Sequence, residues 1–375
     1  MAALLDHIDP DGLLEYSVVF TDRSLNHMSG SFQTVMRDIS VALKDVYNAQ
    51  HIALIPGGGT YAMEAVARQF GSSAHALIIR NGWFSYRWTQ IFDAGNFTEK
   101  TTVLKARTAD NSPKAAFAPV PIDEVVAKIH AEKPDVVFAP HVETSAGIIL
   151  PDDYITAMAT AAHDVGALMV LDCIASGCVW VDMAATGVDV LISAPQKGWS
   201  ASPSAGLVMM SDRAAARMTD TSSNSFAIDL KKWASIMTAY ENGGHAYHAT
   251  LPTDALRAFR DTIMETRDYG FERLKAAQWE QGNAVRAMLA AKGVKSVAAE
   301  GFGAPGVVVS YTDDPDVQNG KKFAAQGMQI AAGVPLQCDE PAGFMTFRLG
   351  LFGLDKLYDV PASLARLGAV IDKVI

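Results

Sequence analysis

The chain has 375 residues, 49% of them hydrophobic and 19% charged, with a formal net charge of −10. That length exceeds what one core usually holds, so two domains are expected, and the composition excludes a disordered chain. The acidic balance argues against a nucleic-acid or anionic-membrane partner, because either needs a basic face, yet it allows a local cationic pocket for a small anion.

The start, MAALLDHIDPDGLLEY, carries acids where a secretory leader needs a basic segment. Residues 31–48 space Phe32, Val35, Ile39, Leu43 and Val46 at helical intervals. HIALIPGGGT (51–60) is a strand running into glycines, and YAMEAVARQF (61–70) a short helix with Ala62, Ala65 and Val66 inward. Strands follow at 75–82 and 135–141, a helix at 152–166, and strands at 167–172, 188–195 and 206–211. Short apolar strands alternating with helices predict an α/β domain with a mostly parallel sheet covered on both faces.

The character changes near residue 268. Residues 270–293 read as an amphipathic helix, and GVVVSYT (306–312) and FMTFRLGLFG (344–353) as half-buried antiparallel strands. The expected division is an arm over 1–20, a large α/β domain over 21–268 and a small C-terminal α+β domain over 269–375. No apolar run reaches the roughly 18 residues of a membrane span. The three cysteines, Cys173, Cys178 and Cys338, contain no CxxC pair. They predict a reducing compartment and no disulfide framework, hence a soluble cytoplasmic protein.

Ligands of open parallel sheets bind at the carboxyl ends of the strands. After the first strand come Gly57, Gly58, Gly59 and Thr60, which form either a plain tight turn or an anion cradle at a helix start. A dinucleotide fingerprint is disfavoured because Ala62 takes the place of the third glycine, and no P-loop lysine follows. Strand ALMVLD ends on Asp172, either a turn aspartate or a carboxylate that seeks a cation. VDVLISAPQKG brings Lys197 to the end of another apolar strand, either as a snorkelling surface lysine or as a functional amine. An anion cradle, a carboxylate and a lysine on one rim together suit a phosphorylated, cationic heteroaromatic aldehyde, pyridoxal 5′-phosphate. Asp172 pairs with its ring nitrogen and Lys197 holds it as a Schiff base.

The segments GGGTYAMEA, HVETSAG, VLDCIASG and SAPQKGW, in this order, resemble class V aminotransferases of the type I pyridoxal-phosphate fold, nearest the alanine/serine–glyoxylate group. The resemblance spans residues from about 50 to 353. It implies a mostly parallel seven-stranded sheet and an aminotransferase that moves an amino group from a small amino acid to glyoxylate or pyruvate. By position it implies Lys197 and Asp172 as the catalytic pair, and Gly58, Gly59, Thr60 and Gln196 at the phosphate. Family members often have serine at the position of Gly58, so one side-chain contact is missing here. Phe84 matches the aromatic that stacks on the ring, with Trp83 the competing choice, and Thr144 a hydroxyl near the ring oxygen. YHATLP resembles the segment that reaches the neighbouring subunit, so Tyr247 and Thr250 act across a homodimer interface. Arg348 takes the substrate α-carboxylate, unless it forms a structural ion pair.

The front end departs from the family pattern: Arg23, Asn26 and His27 stand where a Pro-Gly-Pro type segment lines the substrate pocket. LPTDALRAFRD also resembles 2-aminoethylphosphonate–pyruvate transaminases, the competing activity. A cysteine desulfurase or lyase would use Cys338, and a non-catalytic coenzyme-binding protein would not need both Lys197 and Arg348. His245 and His248 lack a third ligand with metal-site spacing.

Overall fold

The computed structural model describes residues 24–375 together with Leu13, Tyr16 and Ser17. Its first helix, α1 (Gly30–Tyr47), begins where the Ser29 side chain accepts from the Phe32 N–H, and it buries Phe32, Val35, Ile39 and Leu43. Seven strands form one sheet: β1 (His51–Pro56), β2 (His75–Arg80), β3 (Lys100–Lys105), β4 (Val136–Pro140), β5 (Leu168–Asp172), β6 (Val190–Ser193) and β7 (Ala205–Met210). The order across the sheet is β1-β7-β6-β5-β4-β2-β3. Only β7 runs against the rest, pairing antiparallel with both β1 and β6.

The central strands are buried on both faces. Each Val, Leu, Ile, Phe or Met side chain so enclosed contributes roughly 1.5–3 kcal/mol. Helix α2 (Gly59–Phe70) packs on β7 and β1, α3 (Trp83–Gly95) on β2 and β4, and α5 (Asp152–Asp164), which follows α4 (Ile122–Glu132), on β5. After β7 come α6 (Asp212–Asp220), α7 (Leu230–Glu241), α8 (Thr253–Tyr269) and α9 (Phe271–Ala291), with α1 lying against α7 and α8. The α8–α9 break falls at Gly270, whose φ of 106° favours glycine.

A second, antiparallel sheet has the order β8-β10-β9, with β8 (Val307–Tyr311), β9 (Ala331–Ala332) and β10 (Thr346–Gly350). One side of it packs on α9 and α10 (Val360–Val374) through Val285, Leu289, Phe347, Leu349, Leu367 and Ile371. Val307 and Val309 instead meet Val142, Ile148 and Leu336. Strand β8 is therefore buried on both faces rather than half-buried, because the small sheet is sandwiched between its own helices and the large sheet's rim. Among the described residues no helix is long and apolar enough to cross a membrane.

Parallel pairing decides where the polar residues fall. Asp172 lies opposite Pro140 on one side and Ile192 on the other, so β4, β5 and β6 end together. The turns after β1, β2, β4, β5 and β6 therefore meet along one rim.

Candidate active site

A cavity of about 200 Å³ opens on that rim, lined by Gly59, Thr60, Phe84, Thr144, Asp172, Gln196 and Lys197 from the sequence reading. Met63, Arg87, Val142, Ile174 and Ala175 complete it. A larger hollow of about 390 Å³ lies over Lys105, Arg107 and Lys114, but each of those cations is matched by a carboxylate: Asp339, Glu124 and Asp313. At the rim, by contrast, Lys197, Arg87 and Arg348 have no carboxylate within salt-bridge distance among the described residues. Charges left without counter-ions mark the smaller cavity as the one built for a ligand.

Strand β6 stops at Ser193, four residues short of Lys197, so the amine is carried by a loop rather than by a strand end. The loop is tightly seated. A Cβ on Gly198 would lie 2.0 Å from the Gly177 carbonyl oxygen, so only glycine lets the chain pass. Lys197 is half-buried, its Nζ 5.3 Å from the centroid of the Phe352 ring. Burial, and then the Arg348 charge, lowers its pKa from the ordinary lysine value. A lysine held this way spends more time as the free amine that attacks carbonyl carbon or takes a proton.

Asp172 is 7% exposed, and among the described residues its carboxylate receives one hydrogen bond, from the Ile174 N–H at 2.9 Å. Burial pushes its pKa up to about 7, the Ile174 bond opposing and Glu143 adding. A bound cation beside it would reverse that shift. The His141 N–H donates to the Asp172 backbone carbonyl at 2.8 Å, and its ring Nδ1 lies 2.7 Å from Ser176 Oγ. Burial brings His141 down to about 3, so this ring stays neutral.

The Asp172 shift predicts a pH effect on the coenzyme-free protein. A carboxyl whose folded pKa lies above its unfolded value of 3.8 costs nothing below that value, and its penalty grows until pH passes about 7. At about 1.4 kcal/mol per unit, the full penalty is about 4 kcal/mol. In thermal unfolding, Asp172→Asn should match wild type near pH 4 and exceed it increasingly up to pH 8. A constant difference would contradict the assignment.

Helix α2 supplies the anion cradle. Gly57 turns the chain at φ 120°, and Gly58 caps the helix with no side-chain bond to its first turn. The first N–H groups of a helix have no partner within it and attract an anion. Thr60 Oγ1 accepts from Arg87 Nη1 at 3.0 Å, and Gln196 Oε1 is enclosed with no partner among the described residues. The aldehyde expected from the sequence thus meets an anion cradle, a carboxylate short of donors and an unpaired amine in one cavity. The residues fit pyridoxal 5′-phosphate.

Phe84 is held by a residue the sequence reading passed over. The fully buried Glu143 accepts from the N–H groups of Phe84 (3.1 Å) and Ser85 (2.9 Å) and from the hydroxyls of Ser85 (2.6 Å) and Ser145 (2.7 Å). A carboxylate at the start of α3 suits the helix dipole and fixes the backbone under Phe84. The only sequence signal was an acid between the apolar strand 135–141 and Thr144. Of the two competing aromatics, Phe84 lines the cavity, whereas Trp83 packs on Tyr86 at 5.8 Å between ring centroids.

Arg348 lies on β10, its Nε donating to the Ala332 carbonyl at 2.8 Å and its Cζ 5.6 Å from the Phe84 centroid. Burial lowers its pKa, with Glu143 opposing. The structural ion pair is absent among the described residues, which leaves most of the guanidinium's donors free for a ligand.

Tyr247 and Thr250 do not join this cavity. Both are exposed, with their hydroxyl oxygens 3.2 Å apart. Asn26 and His27 are buried, the His27 ring 5.5 Å from Tyr247 and 5.8 Å from His245. Arg23 lies outside the described residues. His248 Nε2 lies 2.7 Å from the Phe226 carbonyl oxygen, and no cluster of three His, Cys, Asp or Glu side chains is found among the described residues. Cys338 is 4% exposed, its Sγ 3.3 Å from the Arg80 carbonyl oxygen, and burial raises the thiol to about 12. It lacks the accessible thiolate a desulfurase nucleophile needs.

The Aminotransferase class-V family model matches residues 13–301. The chain is 26% identical to the protein named soluble hydrogenase, small subunit, of Synechococcus sp., over 92% of this chain and 87% of that one. It is 26% identical to the 2-aminoethylphosphonate–pyruvate transaminase of Burkholderia mallei, over 85% of this chain and 82% of the relative. Among solved structures, alanine–glyoxylate aminotransferase of Nostoc sp. matches with a TM-score of 0.78 at 20% identity, covering 93% of this chain and 88% of that one.

Proposed function

This chain belongs to the class-V aminotransferase family and has the pyridoxal-phosphate-dependent type I fold; from that premise we propose that it moves an amino group from a small amino acid of the alanine or serine kind to glyoxylate or pyruvate. The observation that carries this reading is the unpaired Arg348 guanidinium 5.6 Å from the ring that floors the Lys197 cavity. A guanidinium there suits the one group shared by the donor, the product and the acceptor, an α-carboxylate.

Bound pyridoxal phosphate supplies an aldehyde carbon for amines and a protonated ring that accepts the electron pair left when a Cα–H ionises. The chain's own residues do the rest. Lys197 would secure the coenzyme through its aldehyde, and its Nζ, when free, would take the proton from the substrate Cα and hold it on the amine for return to the reacting carbon framework. Asp172 would hold the proton on the ring nitrogen. Phe84 would pack against its ring, Thr144 would offer it a hydroxyl, and Gly58, Gly59, Thr60 and Gln196 would hold the phosphate. Arg348 sets the orientation in both half-reactions.

Exposure of Tyr247 and Thr250 supports a homodimer in which they complete the neighbouring subunit's site. The boundary near residue 268 supports a large coenzyme domain followed by a small one, after an arm over 1–20. Three buried free thiols suit a reducing cytoplasm.

The test is a panel of amino donors offered with glyoxylate and with pyruvate, followed by coenzyme absorbance. Conversion of alanine or serine is the expected result. The Burkholderia relative and the segment LPTDALRAFRD support one competing activity. Turnover of 2-aminoethylphosphonate but not of alanine or serine would replace the present reading with that one.

A further inference from the structure

Two of the three unpaired cations at the rim have work in this scheme; Arg87 does not. It sits in the first turns of α3, on the backbone that Glu143 anchors. Its Nη1 donates to Thr60 Oγ1 at 3.0 Å, its Cζ lies 5.2 Å from the Phe84 centroid, and it lines the cavity with Gly59 and Asp172. A guanidinium carries several N–H donors, and here one meets a hydroxyl while none meets a carboxylate among the described residues. The chain has thus placed a half-buried cation beside the start of α2 with donors to spare.

At the cap of that helix, Gly58 offers no side chain, and a Cβ built there would meet nothing within 4 Å. That side of the cradle is open, and Arg87, bonded to Thr60 on the same helix start, has donors to spare beside it.

We propose that Arg87 is a ligand of the coenzyme phosphate, donating from α3 across Thr60 to the anion held at the start of α2 and supplying the side-chain contact that Gly58 lacks. The proposal rests on the pyridoxal-phosphate reading of the site. It separates Arg87 from Arg348: both flank Phe84, but one addresses the coenzyme and the other the substrate.

The experiment titrates coenzyme-free wild type, Arg87→Gln and Arg87→Lys with pyridoxal 5′-phosphate and, separately, with pyridoxal, following absorbance and tryptophan fluorescence. Losing charge-assisted bonds to a phosphate should weaken pyridoxal-phosphate binding by about 10- to 100-fold in Arg87→Gln. Pyridoxal binding should stay within about twofold of wild type, and Arg87→Lys should recover part of the loss because it keeps the charge. Equal melting temperatures of the coenzyme-free proteins would show that folding is not the cause. A loss shared equally by both ligands, or by neither, overturns the proposal. If Arg87→Gln instead leaves coenzyme binding intact and raises KM for an anionic donor, the guanidinium reads substrate and the proposal is wrong. Wild type that fails to take up pyridoxal phosphate at all removes the pyridoxal-phosphate reading of the site, and the proposal with it.

Discussion

Lys197→Ala folds normally but turns over at a rate lower by about 10⁴-fold or more. No hydrogen bond or ion pair holds the Nζ among the described residues, and the site bears a desolvation cost for keeping a cation there. Removing it should leave the melting temperature of the coenzyme-free protein unchanged or slightly raised. What disappears is the base at the substrate Cα and the tether for the coenzyme. Two further results separate these roles from a structural one. Small primary amines added to the solvent should restore part of the rate, since they can carry the proton. Lys197→Arg should not restore it, because a guanidinium stays protonated. A Lys197→Ala enzyme within about tenfold of wild type would contradict the assignment.

Arg348→Gln should lower kcat/KM for amino acid and 2-oxo acid alike by about 10²- to 10³-fold, the loss of a desolvated charge-assisted contact worth about 3–4 kcal/mol. The loss falls on both half-reactions because each substrate brings the same carboxylate. An amine without that carboxylate should be affected far less. Stability should change little: the one hydrogen bond lost is to the Ala332 carbonyl, and no buried carboxylate is left unpaired. A lower melting temperature with unchanged kinetics would mark Arg348 as structural.

The most legible features were apolar strands closed by one charged residue. Asp172 stood out because burial on both faces of β5 leaves its carboxylate no other environment. Lys197 stood out for the same reason, although the strand before it ends sooner than its apolar run suggests. Strand β3, KTTVLK, stayed hidden because it lies on an edge and needs only half its surface covered. Strand β8 read as half-buried because its second cover, around Val142 and Leu336, comes from far along the chain. Glu143 and Arg87 gave little signal on their own. Their roles arise where chain segments meet, Glu143 at the start of α3 and Arg87 at the start of α2, and spacing does not encode such meetings. Tyr247 and Thr250 are legible only by resemblance, since the single chain leaves them exposed.

The most direct test begins with holoprotein treated with borohydride, digested and mapped by mass spectrometry. A pyridoxyl group on the peptide containing Lys197, with none elsewhere and none in Lys197→Ala, is the expected result. The label on another lysine, or no label on protein that has been saturated with the coenzyme, would contradict the account.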